Sequence, residues 1–344
     1  MKAVILAAGK GTRMRGLCDQ RPKPLLPLAN RPALQLTISR LREAGVTDIC
    51  IVVGHKLEQI KSYHGYGSAL GVKLYYIVQE ALNGTGGALM LAQDFVEGQP
   101  FFLVFGDVIA HSQNYLRAAR LFDSGARAVL TTYDLGKPVR IGAVFTEAGR
   151  LTRIVERPSP KERSTLVSAG VFIFPPEVFD ATRDLPPAPS GEHELTGGIQ
   201  KLADGGIEIR TMPIDGFWAN LTDPDTLLGA NEHVQRELAE KGEKLTDGTA
   251  RVSAQATVAE HAAIGEFARV EGDASIGNNV SIGEGSTIEA GCRVESCIVL
   301  EKVTIGAGAV VGNAIIDAGA EIPPGAVLRS PAGHASIIWK STYA

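Results

Sequence analysis

Cysteine is scarce in this sequence: Cys18, Cys50, Cys292 and Cys297 are the only four, and no two form a C-x-x-C pair. Neither a zinc site nor a disulfide framework is suggested, and a reduced, cytoplasmic setting is expected. Long apolar runs are missing too, which argues against a transmembrane helix. The chain enters a strand pattern at once, Met1-Lys2-Ala3-Val4-Ile5-Leu6, with no cleavage site, so no signal peptide is expected. One-sided charge is absent as well. The formal net charge is −4, and nothing resembles the broad basic face that binds nucleic acid. His55, His64, His111, His193, His233 and His334 show no metal-ligand spacing. What remains is a chain of 344 residues, 44% hydrophobic, long enough for one large domain and a smaller one.

Two textures divide it. Over residues 1–244, short β-branched or aromatic runs (3–8, 49–53, 73–78, 101–105) alternate with helical apolar spacing (33–44, 56–63, 86–95). That alternation predicts β-α-β units and an α/β domain whose ligands bind at the carboxyl ends of the strands. Over residues 245–344, Val252, Val258, Ile264, Val270, Ile276, Ile282, Ile288 and Val294 recur every six residues. The period continues through Val299, Ile305, Val310, Ile316, Ile322 and Leu328 with two five-residue steps. A hexapeptide period predicts a parallel β-helix with three hexapeptides per coil. The polar stretch 240–247 reads as the linker, after a helix beginning near Asp223. From Asp247 onward there are 6 Lys and Arg against 11 Asp and Glu, so the first part is close to neutral.

The first apolar run ends in Gly9-Lys10-Gly11-Thr12-Arg13. Glycines there let backbone N–H groups approach a phosphate, while Lys and Arg supply charge. The dinucleotide fingerprint would need glycine at Met14, and no Gly-Lys-Ser/Thr closes a Walker loop. Arg13 is followed ten residues later by Lys23 between two prolines. Asp107, after the run 101–105, falls at another expected strand end; a turn or capping role is its plainer reading.

Leu6-Ala7-Ala8-Gly9-Lys10-Gly11-Thr12-Arg13-Met14, with Arg21-Pro22-Lys23-Pro24, resembles the signature of sugar-1-phosphate nucleotidylyltransferases, and the likeness runs motif by motif from residue 1 to about 231. It implies a Rossmann-like, mostly parallel sheet with helices on both faces, followed by a left-handed parallel β-helix. The implied reaction is attack of a sugar-1-phosphate oxygen on the α-phosphorus of a nucleoside triphosphate, with release of pyrophosphate. On that resemblance Leu6, Ala8, Gly9, Gly11, Thr12 and Arg13 wrap the nucleotide, and Arg13 and Lys23 neutralise phosphate charge as catalytic residues.

Asp107 matches the family's aspartate for Mg2+. The second metal position, in Trp218-Ala219-Asn220-Leu221-Thr222-Asp223-Pro224, holds Asn220, as in uridylyltransferases acting on N-acetylglucosamine 1-phosphate. Asp223 reads as a helix N-cap before Pro224. Gln79, Gly84 and Thr85, within Gln79-Glu80-Ala81-Leu82-Asn83-Gly84-Thr85-Gly86-Gly87, match the base-binding step of uridine-using members. UTP or dTTP is therefore favoured over GTP, with a GTP-using mannose-1-phosphate guanylyltransferase as the alternative. Gly142, Glu156, Arg157 and Ser168 match the sugar-phosphate positions, with Arg157 replacing a lysine and Ser168 an asparagine.

These departures keep a second reading open, a regulatory subunit that senses a nucleotide sugar. A third reading is a bifunctional enzyme whose β-helix transfers acetyl groups from coenzyme A with His261 as base. The open end and flat faces of a short β-helix point to a homo-oligomer.

Overall fold

The computed structural model describes residues 1–342 apart from Arg15, His55, Pro189 and Ser190. The chain packs as two compact units, residues 1–10, 21–24 and 34–218 in the first, and 11–20, 25–33 and 219 onward in the second.

Nine strands form the sheet of the first unit: β1 (Lys2–Ala7), β2 (Asp48–Val53), β3 (Lys73–Val78), β4 (Phe101–Phe105), β5 (Ala128–Asp134), β6 (Ala143–Glu147), β7 (Arg150–Val155), β8 (Leu166–Phe174) and β9 (Ile209–Pro213). Their spatial order is β3-β2-β1-β4-β8-β5-β9-β7-β6. β1 lies parallel to β2 and β4, and β2 parallel to β3. Helices α1 (Ala33–Glu43), α2 (Leu57–His64) and α3 (Thr85–Leu91) make the crossovers, and α4 (Gln113–Asp123) and α5 (Glu177–Arg183) follow later in the chain. The helix expected over 86–95 is broken at Ala92, and a second short helix follows at Gln93–Val96.

Beyond β4 the sheet is mixed. β8 runs antiparallel to both β4 and β5, β9 is parallel to β5, and β7 is antiparallel to β9 and β6. The β6–β7 hairpin turns on Ala148 and Gly149, at φ 48° and 74°. That pair of left-handed residues matches the twist of a two-residue hairpin. The parallel half thus carries the nucleotide motifs and the mixed half carries Gly142, Glu156, Arg157 and Ser168.

Both faces of β1 are covered. Val4 and Leu6 join a core with Ala88, Leu89, Phe101, Phe172 and Ile199, while Ala3 and Ile5 are wholly buried on the other face. A strand buried on both sides reads as a continuous apolar run rather than an alternation.

In the second unit, two-residue strands start at Arg251, Thr257, Ala263, Arg269 and Ser275, one every six residues. Arg251 pairs with Arg269 and Arg269 with Thr287, an advance of 18 residues per coil. Thr287 then pairs with Thr304 and Thr304 with Glu321, an advance of 17. The five-residue steps in the aliphatic period are these shortened coils. Ile264, Val270, Ile276, Ile282, Ile288 and Val294 fill the interior of the parallel β-helix.

The helix α7 (Pro224–Glu240) lies against strands Arg293–Val299 and Val310–Ile316 of the β-helix. Ile298 and Ile315 on those strands lie outside the interior cluster of the β-helix yet are wholly buried. Gln235 Nε2 donates to Val280 O at 2.7 Å, and Asn231 Nδ2 to Asn279 Oδ1 at 2.9 Å. Asp223 caps α7 in a reciprocal box with Thr226, with Pro224 in the first turn, as its sequence predicts.

Candidate active site at the carboxyl ends of the strands

Glycines close the strand ends around β1. A Cβ built on Gly54, just past β2, would lie 2.6 Å from Ala8 O; one on Gly106, just past β4, would lie 2.9 Å from Ala7 Cβ. Gly106 N donates to Leu6 O at 2.8 Å. The main chain of Leu6 to Ala8 is thereby pinned from both sides. Gly9 differs: it is exposed, and a Cβ there would meet nothing within 4 Å.

Asp107 follows Gly106 directly. Its Oδ2 lies 2.5 Å from Lys23 Nζ, with the lysine side chain 10% exposed and the aspartate 34%. Residues 84 apart in sequence, named for phosphate and for metal, are thus paired at one strand end. In the second unit, Thr12–Met14 form a 3-10 turn in which Gly11, at φ 67°, accepts from Met14 N at 2.9 Å. Thr12 and Arg13 are exposed there. Asn220 Oδ1, also in that unit, is buried with no hydrogen-bond partner among the described residues. An orphaned amide oxygen is a ligand that magnesium accepts, and so, in the first unit, is the partly exposed carboxylate of Asp107. Among the described residues no cluster of three or more His, Cys, Asp or Glu could hold a metal unaided.

Gln79 is 4% exposed, and its Nε2 donates to Asn83 Oδ1 at 2.9 Å and Gly84 O at 3.0 Å. Its amide nitrogen therefore shapes the loop rather than facing a base. The glycines next to it answer to a segment 110 residues away. At Gly84, φ +98°, a Cβ would lie 2.6 Å from His193 O, and at Gly86 2.8 Å from the same oxygen. Gly86 N donates to that carbonyl at 2.7 Å, and Thr85 Oγ1 accepts from Leu195 N at 3.1 Å.

Residues 192–196 lead into α6 (Leu195–Asp204), which lines a cleft of about 500 Å3 with Glu156, Glu194, Thr196, Gln200 and Lys201. Burial pushes the Glu156 carboxyl above the usual glutamate range; Glu194 and Glu192 push it further, while Thr196 and Arg157 oppose the shift. Gly142, expected to offer its amide to the sugar, instead donates it to Glu156 O at 2.8 Å, and its carbonyl accepts from Ser168 N at 2.9 Å. Gly142 therefore ties Glu156 to Ser168. The Ser168 hydroxyl is buried and has no partner among the described residues. Beside it Trp218 Nε1 donates to Ala169 O at 2.9 Å and stacks on Tyr133 with centroids 5.0 Å apart. Arg157 is exposed.

Residues 2–237 match the family model described as nucleotidyl transferase, and residues 258–338 match the GMPPB C-terminal domain. The chain belongs to the nucleotidyl transferase family. It is 34% identical over 254 residues to the low-salt glycan biosynthesis nucleotidyltransferase Agl11 of Haloferax volcanii, covering 72% of this chain and 71% of that protein. It is 32% identical to the glucose-1-phosphate thymidylyltransferase of Streptomyces griseus, covering 72% and 70%. The bifunctional protein GlmU of Methanococcus maripaludis is 30% identical over 74% of this chain but only 59% of its own length.

A crystal structure of a candidate glucose-1-phosphate thymidylyltransferase from Bacillus anthracis superposes with TM-score 0.62 at 27% identity, covering 67% of this chain and 94% of that one. This nucleotidyl transferase is thus an enzyme of the sugar-phosphate nucleotidyltransferase kind, on a Rossmann-like domain followed by parallel β-helix sheets. Glu192, Glu194 and Thr196 escaped the sequence reading. The available signal was an acidic stretch, Glu192-His193-Glu194, running into an amphipathic helix. His64 is buried with Nδ1 3.1 Å from Ile60 O, and His55 lies outside the described residues.

Proposed function

We propose that this nucleotidyl transferase moves a uridylyl or thymidylyl group from the nucleoside triphosphate to a sugar 1-phosphate. A phosphate oxygen of the sugar attacks the α-phosphorus, the bond to the β-phosphate oxygen breaks, and pyrophosphate leaves. The observation that carries the reading is the Lys23–Asp107 pair at the end of β4, the neighbour of the strand that opens into Gly9. A lysine held 10% exposed by a carboxylate is a pre-positioned cation whose placement needs no reorganisation when phosphate arrives. Lys23 and Arg13 neutralise phosphate oxygens, and the freedom around Gly9 leaves its main chain open to a phosphate.

On the family pattern Asp107 and Asn220 are the residues that would hold magnesium, and the ion would add further charge neutralisation on the phosphates. The sugar reading rests on Glu156 and the unpartnered Ser168 hydroxyl, acceptors and donors suited to sugar hydroxyls. The pyrimidine preference draws on the thymidylyltransferases among the relatives and on Gln79, whose carbonyl oxygen is the part that could meet a base. Assembly of copies through the β-helix belongs to the same reading, supported by Val327, 70% exposed on a late coil.

The test is pyrophosphate release over UTP, dTTP, GTP, ATP and CTP against a panel of sugar 1-phosphates, with and without Mg2+. Turnover with a pyrimidine nucleotide that falls on removing the metal supports the reading. A preference for GTP overturns the base assignment, and no turnover with any pair overturns the whole.

A further inference from the structure

The second unit joins two pieces of chain that sequence keeps far apart, the nucleotide loop at 11–20 and the last rung of the β-helix. Strand Ser336–Ile338 pairs in parallel with Val310–Ile316, Ile338 facing Ile316, and Asp317 N donates to Ile338 O at 2.8 Å. That rung fixes the start of residue 339. Trp339 then lies over Gly16: a Cβ built there would be 3.0 Å from Trp339 Cη2 and 3.3 Å from Cζ2. Gly16 is at φ +91°, so it is glycine for two reasons at once, backbone conformation and the indole. Trp339 is held in turn: its backbone N–H donates to Thr342 Oγ1 at 3.0 Å. A few residues earlier, Ala335 N donates to Asp225 Oδ1 at 2.9 Å, in the first turn of α7.

One short tail therefore braces two segments. One carries Arg13, three residues before Gly16; the other is the α7 start that follows Asn220 in the chain. Residues 25–33, which continue from Lys23 and Pro24, are anchored in the same unit by separate bonds. Ala29 N donates to Asn231 Oδ1 at 2.8 Å, and Asn30 Nδ2 donates to Ile282 O at 3.0 Å.

We propose that the last rung of the β-helix is a positioning strut for the nucleotide site: Trp339, set by strand Ser336–Ile338, holds the backbone of 11–20, and Asp225–Ala335 holds the entry to α7. The β-helix domain then contributes to nucleotide turnover directly, apart from any role in assembly. A loop that presents a cation to a triphosphate gains from being held, because small misplacements of such groups cost large factors in rate. Trp339 touches no substrate in this scheme. It acts through Gly16 and the turn before it.

This inference rests on the nucleotidyl-transfer reading for its kinetic half and on geometry alone for its anchoring half, so the experiment reads both. Trp339→Ala, Trp339→Phe and Asp225→Asn are made in the full chain. Steady-state constants are measured with the nucleotide and sugar-phosphate pair that the panel identifies, and hydrogen exchange is followed in peptides covering 11–20 and 220–228. Trp339→Ala is expected to raise exchange over 11–20 and to lower kcat/KM for the nucleotide on the order of tenfold, leaving KM for the sugar phosphate within about twofold. Trp339→Phe, which keeps an aromatic ring over Gly16, is expected to restore most of both. Asp225→Asn is expected to raise exchange over 220–228 with a smaller kinetic loss.

Unchanged exchange over 11–20 in Trp339→Ala overturns the strut. So does an equal loss on both substrates that Trp339→Phe does not rescue. A wild-type protein with no turnover would sink the nucleotidyl-transfer reading instead, while raised exchange in Trp339→Ala would still uphold the anchoring.

Discussion

The parallel and mixed halves of the sheet in the first unit treat their polar groups in opposite ways. In the parallel half, Lys23 and Asp107 satisfy each other at 2.5 Å, and glycines at 54 and 106 lock the backbone beside them. In the mixed half, Glu156 is half-buried with Glu194 and Glu192 raising its pKa, and the Ser168 hydroxyl has no partner among the described residues. A paired charge in a fixed frame suits a ligand feature that never varies, such as a polyphosphate. Unpaired polar groups cost stability until something satisfies them, which suits a ligand rich in hydroxyls. The first half should therefore fail through rate and folding, and the second through affinity.

The largest expected effect comes from Asp107→Ala. It removes the carboxylate proposed to hold the metal and strands a lysine only 10% exposed without its counter-charge. Loss of one such electrostatic group typically costs about 3–4 kcal/mol of transition-state stabilisation, or roughly two to three decades in rate. Steady-state kinetics and a thermal melt on the same sample check it. A variant retaining more than about a tenth of wild-type kcat would reduce the pair to a structural ion pair and break the contrast at its strongest point.

Gly84→Ala comes next, and its effect is on folding. A methyl group there combines φ +98° with a 2.6 Å approach to a backbone carbonyl that cannot step aside. Strain and overpacking together predict a loss of about 2–4 kcal/mol in urea unfolding. A loss within about 0.5 kcal/mol would show that the 192–195 segment does not press on this loop.

These two positions also mark how far the sequence could be read. The apolar run into Gly9, the spacing to Lys23 and the strand before Asp107 are local signals, and each landed where its pattern put it. The six-residue aliphatic period is local too, since every rung repeats the same demand for an inward side chain. Gly84 to Gly87 were legible as a turn before a helix, but their reason, the His193 carbonyl, belongs to a distant segment with no period to announce it. Gly142 was assigned to the sugar although its N–H and C=O are both used between Glu156 and Ser168. Hydrogen bonds of that kind depend on tertiary pairing and leave no mark on residue spacing. The cover provided by α7 did leave one. Cys297-Ile298-Val299 and Ala314-Ile315-Ile316 are apolar on both sides of a strand, which requires an outer face to be buried as well.

Glu156→Gln sharpens the affinity side through pH. Its folded-state pKa is raised, chiefly by burial and then by Glu194, so the ionised group opposes folding. That penalty is absent below the unfolded glutamate value, grows as pH rises from there to the raised folded value, and is complete above it. The glutamine variant should therefore melt higher than wild type at neutral pH, with the difference vanishing as pH falls to the ordinary glutamate range. Over the same range its KM for the sugar phosphate should rise about tenfold at neutral pH, the size expected for losing a hydrogen bond to a charged group. A melting difference that persists at low pH would assign the effect to packing instead of charge.

Ser168→Ala is the smallest and most discriminating change. Deleting a buried hydroxyl that has a partner ordinarily costs about 1 kcal/mol, but this one has none to lose. Stability should therefore stay level or rise slightly. If the hydroxyl is held open for a ligand, its removal must appear in sugar-phosphate KM, by about fivefold, with nucleotide KM unchanged, because one neutral hydrogen bond is at stake. Differential scanning fluorimetry and two-substrate kinetics separate the outcomes. A clear drop in melting temperature with no change in KM would mean that Ser168 serves the core, and the two halves of the sheet would then differ in packing alone.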